Sequence, residues 1–240
     1  MIDATPDFAL QVQEVGLLPD SIVLTHAHIG HYTGLMQLGR EVMGADHLPV
    51  WCSARMASFL RENGPWSQLV SLGNIELHEF QDEVAFSPIE GVVMQPFAVP
   101  HRDEYSDTFG FSIEVDGIKT LYIPDIDAWE PWGRLPHLAS QHDFALLDAT
   151  FFDDYELPGR DMSLIPHPRV VETMTLLQSA VQLKQVRVLF THLNHTNPLW
   201  VEDSIQSKRT RSNGFEVARR GMWITRDSLP VQKPPLPTVW

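Results

Sequence analysis

Apolar and polar residues alternate along the chain with two different periods, so the sequence predicts strands and helices in turn. Apolar, β-prone runs predict strands in SIVLT, LPVWC, NIELHEF, VVMQPFAVP, FALLDATFF, VRVLFT and FEVARRGMWIT. Helical spacing predicts helices in GLMQLGREVMG, in SARMASFLREN with Ser53 as N-cap, and in HPRVVETMTLLQSAVQL with Pro168 in its first turn.

A tight hairpin is the clearest local signal. In FGFSIEVDGIKTLYIPD, two alternating runs flank Asp116-Gly117, a dipeptide typical of two-residue hairpin turns. Interleaved strands and helices with an added hairpin indicate a layered α/β protein rather than a simple doubly wound parallel sheet.

Composition limits the classes of protein that fit. The 240 residues suit a single domain over residues 1–228, followed by a Pro-rich tail over 229–240. A net charge of -14 argues against nucleic acid as a partner, because phosphate-binding surfaces need clustered Lys and Arg. The lone Cys52 and the lack of an apolar leader or membrane-length segment favour a reducing, cytoplasmic location without a membrane.

Residues of metal-ligating type follow the predicted strands. The histidines of LTHAHIGHYTGL follow the first strand, and further candidates follow three later strands. In order, the candidates are His26, His28, His31, His101, Asp125, His192 and His195. Loops at strand ends are where a scaffold directs ligands toward one point.

The spacing of His26 and His28 strengthens the metal interpretation. In an extended segment residues i and i+2 point to the same side, so one ion can bind both imidazoles. Imidazole and carboxylate ligands suit zinc first, with iron or manganese as alternatives, and no thiolate set is present.

These motifs also carry a family resemblance. THAHIGHYTGL resembles the H-x-H-x-D-H-x-x-G signature of the metallo-β-lactamase-fold hydrolases, and VPH, YIPD and LFTHLNH follow in the family's order. The longer strings VPHRDEYSDTFGF, YIPDIDAWEPW and HLNHTNPLW resemble the branch that contains pyrroloquinoline quinone biosynthesis protein B.

The resemblance implies an αββα sandwich with one or two Zn²⁺ ions at one edge of its sheets. It assigns His26, His28 and His101 to the first ion, Asp125 to a bridging position, and His31 with His192 to the second ion. Gly30 stands where the family has an aspartate, so we expect the second ion to be held less tightly.

The beginning of the chain differs from the family pattern. Proteins of this fold place about two to four strands before a segment like IDATPDF, which here covers residues 2–8. We therefore expect the first strands of the fold to be lacking, and a homo-oligomeric partner to cover the exposed edge.

Other polar residues are weaker candidates. The acidic residues of HRDEYSD (101–107) either hold the ring of its histidine or form a solvated loop, and Asp127 or His195 is a possible substitute for the missing carboxylate. Asp148 either supports the site or caps the following turn. We expect His167 to be a capping or exposed residue at the start of a helix.

Three functions remain open at this point. The first is a hydrolase acting on a small-molecule ester, lactone or phosphodiester through a metal-activated water, with Asp125 orienting the water and His195 as general acid. The second is an iron-dependent oxidative enzyme of quinone-cofactor biosynthesis. The third is a non-catalytic metal- or ligand-binding protein with a degraded second site.

Overall fold

The computed structural model describes residues 1–225 and the backbone of Val231–Gln232. The chain divides into two compact units. Among the described residues, the first unit contains residues 1–98 and 102–109, and the second contains residues 99–101, 110–225 and 231–232. The predicted Pro-rich tail lies almost wholly outside the described residues and stays a prediction.

The first unit contains a sheet in which all pairings are parallel. Its strand order is β1-β2-β3, with Ile22 opposite Val50 and Leu48 opposite Ile75. The elements of this unit are α1 (Phe8–Val15), β1 (Ile22–Val23), α2 (Ile29–Tyr32), β2 (Leu48–Cys52), α3 (Ala54–Glu62), α4 (Trp66–Ser71), β3 (Ile75–Glu79) and β4 (Val92–Ala98).

The second unit has the mixed sheet that the hairpin predicts. Its strands run in the order β5-β6-β7-β8-β9, antiparallel between β5 and β6 and parallel thereafter. Its elements are β5 (Phe109–Val115), β6 (Ile118–Ile123), α5 (Trp129–Trp132), α6 (Leu135–Ser140), β7 (Phe144–Asp148), α7 (Val170–Gln182), β8 (Arg187–Thr191), α8 (Ile205–Ser212), β9 (Glu216–Val217), β10 (Met222–Trp223) and β11 (Val231–Gln232).

Apolar burial explains why these elements form. In the first unit Phe8, Leu24 and Leu35 are fully or almost fully buried in one cluster. In the second unit Phe190 stacks on Phe215 with ring centroids 5.7 Å apart. Burying one such aromatic side chain contributes roughly 1.5–3 kcal/mol to folding.

None of the helices in the described part of the chain combines the length and apolar character that a membrane span requires.

The predicted helix after the histidines is wrong. The structure has only the short α2 and then a 3₁₀ helix over Thr33–Leu38. A Cβ at Gly34 would lie 2.2 Å from the carbonyl oxygen of Thr5, so this turn packs directly on the N-terminal backbone. Gly39 and Gly44 then oppose continuation of the helix, because glycine is costly in a helix interior.

Other element boundaries also differ from the prediction. The first strand ends at Val23 rather than Thr25, because the Thr25 amide donates to the Asp3 carboxylate instead of to a neighbouring strand. Helix α7 begins at Val170, with Arg169 extended as N-cap, so Pro168 precedes the helix. The last predicted strand is split into β9 and β10, with a turn at Gly221 before β10.

The hairpin turn is confirmed, and its backbone angles make Gly117 important. Val115 pairs with Ile118, so Asp116 and Gly117 form a two-residue turn with φ values of 51° and 70°. Positive φ at both central positions is the geometry of a type I′ turn.

We expect Gly117→Val to lower the free energy of unfolding by about 1–2 kcal/mol, because a β-branched residue is strained in the left-handed region. Urea denaturation of the two proteins measures the difference. Gly30→Ala is the matched control, since Gly30 lies outside the positive-φ region and a Cβ there meets no atom within 4 Å. Equal stability of Gly117→Val and the unmodified protein would contradict the turn assignment.

Candidate metal centre

In the first unit, one buried carboxylate organises the segment that follows β1. Asp3 is only 4% exposed, and its Oδ1 accepts the Thr25 amide at 2.8 Å. Its Oδ2 accepts the Thr25 hydroxyl at 3.0 Å and lies 2.7 Å from His31 Nδ1. Asp3 therefore anchors both the backbone and a histidine of the H-x-H-x-x-H segment.

The same carboxylate sets the tautomers of two imidazoles. Because the Thr25 hydroxyl gives its only proton to Asp3, its oxygen accepts from His26 Nδ1, 2.9 Å away. His31 likewise directs Nδ1–H at Asp3. Both rings then present the Nε2 lone pair, which is the form that a metal ion needs.

His28 is held in the opposite sense. Its Nε2 lies 3.0 Å from Glu104 Oε2, so a metal ion bound by His28 would be ligated through Nδ1. The hydrogen bond from His28 lowers the pKa of the exposed Glu104 carboxyl. The ring centroid of His26 lies 4.5 Å from that of His28 and 4.1 Å from that of His31, so the three predicted ligands of this unit form one cluster.

The acidic loop 102–107 serves His28 rather than His101. Glu104 accepts from His28, while Asp103 pairs with Arg55 at 3.2 Å and Asp107 accepts the Ser53 hydroxyl. Of the two roles left open for this loop, holding the His101 ring is therefore not the one that the structure has, since Asp127 contacts His101 Nδ1. The loop is fastened to the start of α3 instead.

In the second unit, His101 is clamped between two aspartates. Its wholly buried side chain has Nδ1 2.8 Å from Asp127 Oδ1 and Nε2 3.2 Å from Asp125 Oδ1. Burial alone lowers the pKa of His101, but the hydrogen bonds and charges of Asp125 and Asp127 outweigh it and raise the pKa. Asp127 thus orients His101 and leaves Nε2 directed at Asp125.

His192 is oriented through a hydroxyl. Its Nδ1 lies 3.0 Å from Thr150 Oγ1, and its Nε2 lies 3.7 Å from Asp125 Oδ2. Thr150 Oγ1 in turn donates to Asp148 Oδ1 at 2.7 Å. In the second unit the structure therefore brings together all three predicted ligands, His101, Asp125 and His192.

His167 is a member of this cluster that the sequence analysis missed. Its Nδ1 lies 2.9 Å from Asp148 Oδ2 and 3.3 Å from Asp125 Oδ1, and its side chain is 10% exposed. The expected capping or exposed role is wrong. The ligand-type atoms of Asp125, Asp148 and His167 lie within 4.8 Å of one another. No motif spacing in the sequence predicts this role of His167, because the long segment between β7 and α7 brings it to the cluster.

Other candidates lie apart from these clusters. His195 is exposed and belongs to none of the groups of potential metal ligands in the described residues. Trp129 is a core residue whose Nε1 donates to Thr173 at 2.8 Å. Cys52 is fully buried, and burial raises the pKa of its thiol to about 12, so it is not a nucleophile.

The donor set fits a resident metal in both units. Every candidate ligand is an imidazole nitrogen or a carboxylate oxygen, and each predicted histidine ligand has one ring nitrogen held by an acceptor. Such outer contacts fix the ring orientation and make the other nitrogen a better ligand. Nitrogen and oxygen donors suit zinc, iron and manganese.

Comparisons with known proteins identify the family of this chain. Residues 1–219 match the family described as "Beta-lactamase superfamily domain". The chain is 30% identical over 259 residues to "Coenzyme PQQ synthesis protein B" of Methylobacillus flagellatus, covering 93% of this chain and 82% of the relative.

Two solved structures show the same fold. One is Zn(2+)-bound PqqB from Methylobacterium extorquens, with a TM-score of 0.76 and 20% identity over 90% of this chain and 80% of that one. The other is a diphosphatase from the PhnP family, with a TM-score of 0.60 and 21% identity over 98% of this chain and 79% of that one.

The chain therefore belongs to the metallo-β-lactamase superfamily and is an enzyme of that type. Within the superfamily it falls in the branch of coenzyme PQQ synthesis protein B. The predicted metallo-β-lactamase fold and the predicted branch are both confirmed, while the lack of the first strands stays a prediction. The metal-binding character of the superfamily agrees with the donor set.

The position of Gly30 allows a direct test of the expectation that the second ion is held less tightly. A Cβ added at Gly30 meets no heavy atom within 4 Å outside its own helix turn, so the position has room for the first atom of a side chain. We expect Gly30→Asp to bind Zn²⁺ more tightly, by more than the roughly tenfold that an outer contact contributes.

Chelator competition on the two proteins measures the change. Gly30→Asn is the matched control, because it has nearly the same shape without the charge. Identical Zn²⁺ affinity in the aspartate and asparagine variants would contradict a ligand role at this position.

Proposed function

We propose that this protein is a metal-dependent hydrolase that acts on a small-molecule ester, lactone or phosphodiester. The observation that carries the proposal is that every imidazole predicted to ligate has one ring nitrogen held by an oxygen acceptor, so the orientation of each ring is fixed. Membership of the metallo-β-lactamase superfamily supports it, as does a relative of the same fold whose structure contains Zn²⁺.

The proposed ligand assignment follows the family pattern. On that pattern His26, His28 and His101 would hold the first ion, Asp125 would be a ligand of both ions, and His31 with His192 would hold the second. Zn²⁺ is the proposed ion because the ligands are nitrogen and oxygen donors that suit it and because the PqqB structure contains it.

The bound ion would supply Lewis-acid activation of a substrate oxygen and would lower the pKa of a water molecule to near neutrality. Asp125 would accept a hydrogen bond from that water and orient it. The backbone after Asp125 is held by the Ile126 amide, which donates to Asp148, and by the Asp127 amide, which donates to the Pro100 carbonyl. Asp127 keeps His101 in the ligating tautomer. His195, which is exposed and lies three residues after His192, is the proposed donor of a proton to the leaving group.

Metal content separates the two halves of the proposed site. We expect His26→Ala to lose most of its zinc, because it removes one of the three proposed imidazole ligands of the first ion, and His192→Ala to keep the first ion. Elemental analysis of protein purified without added metal measures both. His78→Ala is a control that removes a histidine outside the described groups of potential ligands.

Hydrolysis of a panel of esters, lactones and phosphodiesters then tests the reaction class. Zinc retained in His26→Ala would count against the assignment of ligands. An unmodified protein that binds zinc but turns over none of the panel would support a binding protein instead.

An iron-dependent oxidative enzyme is the second candidate. It is favoured by the relative named for the synthesis of coenzyme PQQ, and the His and carboxylate donors also suit non-haem iron. The cytoplasmic location and the partner chain at the N-terminal edge both stay predictions.

Oxygen consumption distinguishes the two candidates. If hydrolysis is the reaction, we expect the Zn²⁺-loaded protein to be active and the Fe²⁺-loaded protein to consume no more dioxygen with substrate than without it. A Clark electrode measures the uptake, with Fe²⁺-loaded His26→Ala as control. Substrate-dependent oxygen uptake that is lost in this control would overturn the hydrolase proposal in favour of oxidation.

A further inference from the structure

In the second unit, the fully buried carboxylate of Asp148 accepts hydrogen bonds both from its own turn and from two other segments. Asp148 is 0% exposed, and its Oδ1 accepts the Thr150 amide at 2.8 Å and the Thr150 hydroxyl at 2.7 Å. Its Oδ2 accepts the Ile126 amide at 3.1 Å and meets His167 Nδ1 at 2.9 Å. A buried carboxylate is stable only when its oxygens are satisfied in this way.

These contacts lead directly to two proposed ligands. The Ile126 amide belongs to the residue after Asp125, so Asp148 fixes the backbone from which the Asp125 carboxylate extends. The Thr150 hydroxyl gives its proton to Asp148, so its oxygen accepts from His192 Nδ1 at 3.0 Å. His167 Nδ1 also lies 3.3 Å from Asp125 Oδ1.

We propose that Asp148 and Thr150 form a positioning pair that sets the direction of Asp125 and the tautomer of His192 together. The inference rests on the proposed function, because it concerns how the ligands of that metal site are held. His167 Nδ1 contacts the carboxylates of both Asp148 and Asp125. Neither Asp148 nor Thr150 needs to touch the metal or the substrate for this role.

The backbone of His192 shows why such a restraint is needed. His192 has φ of 58°, in the left-handed region that a non-glycine residue occupies at a cost of roughly 1–2 kcal/mol. Strain of this kind persists only where surrounding contacts hold it. The Ala149 amide donates to the Thr191 carbonyl at 3.0 Å, and the Asn194 amide donates to the Thr150 carbonyl at 3.1 Å. The loop that carries His192 is thus bound to the loop that carries the positioning pair.

The first unit contains the same chemical arrangement. There the carboxylate of Asp3 accepts the Thr25 hydroxyl, whose oxygen meets His26 Nδ1 at 2.9 Å. In both units an Asp–Thr pair fixes a histidine Nδ1–H and leaves Nε2 as the ligand. The recurrence on two separate strand ends supports a ligand-positioning role over simple turn capping.

The tautomer of His192 in the metal-free full-length protein tests the proposal directly. We expect two-bond ¹H–¹⁵N correlation spectra to show His192 with its proton on Nδ1, with the signals assigned by their loss in His192→Gln. Thr150→Val removes the acceptor and should abolish the preference, whereas Thr150→Ser keeps a hydroxyl and should restore it.

Metal affinity provides the second measurement. We expect Thr150→Val to weaken binding of Co²⁺ at the Asp125 and His192 half by roughly 10–100-fold, the usual effect of losing an outer contact, and Thr150→Ser to recover most of it. Thr210→Val is the matched control, because Thr210 is also buried and hydrogen-bonded but its hydroxyl contacts Gln206 and Met174.

The outcomes separate this inference from the proposed function. An Nε2–H tautomer in the unmodified protein, or spectra unchanged by Thr150→Val, would overturn the positioning role. Equal loss of affinity in Thr150→Val and Thr210→Val would also overturn it, because general destabilisation would then explain the effect. Failure of the hydrolase assay with the tautomer and affinity results intact would reject the reaction alone.

Discussion

An imidazole becomes a defined metal ligand only when its other nitrogen is held, and the rest of this structure depends on that constraint. The buried carboxylates Asp3 and Asp148 provide it, each through a threonine hydroxyl that has a single proton to give. Because that proton goes to the carboxylate, the hydroxyl oxygen must accept from the ring. In each case the ring nitrogen Nδ1 must therefore be the donor, because the hydroxyl has no second proton to give.

Strand pairing places these groups where they can act together. Strands β6, β7 and β8 are parallel neighbours, so Asp125, Asp148 and His192 follow at the same edge of the sheet. The Asp116-Gly117 hairpin precedes β6 and sets its register against β5. A shift by one residue would turn the side chains of β6 to the opposite face.

Charge is the main chemical difference between this chain and the superfamily pattern. Gly30 removes one carboxylate from the half of the proposed site that His31 and His192 would serve. Both of those histidines are nevertheless oriented by acceptors, at 2.7 Å from Asp3 and 3.0 Å from Thr150. The proposed half-site would thus carry less negative charge, while each of these two imidazoles is still oriented by an acceptor.

The sequence by itself determined the order of most strands, the hairpin turn and the identity of the candidate ligands, because these depend on local periodicity and on short motifs. It did not determine the helix after His31, where close packing of Gly34 on the backbone of Thr5 replaced helical propensity. Nor did it determine the partners of the ligands. Asp127 rather than the 102–107 loop holds His101, and His167 reaches Asp125 from a distant segment. Only tertiary structure decides such contacts, because they join residues far apart in sequence and leave no periodic signal.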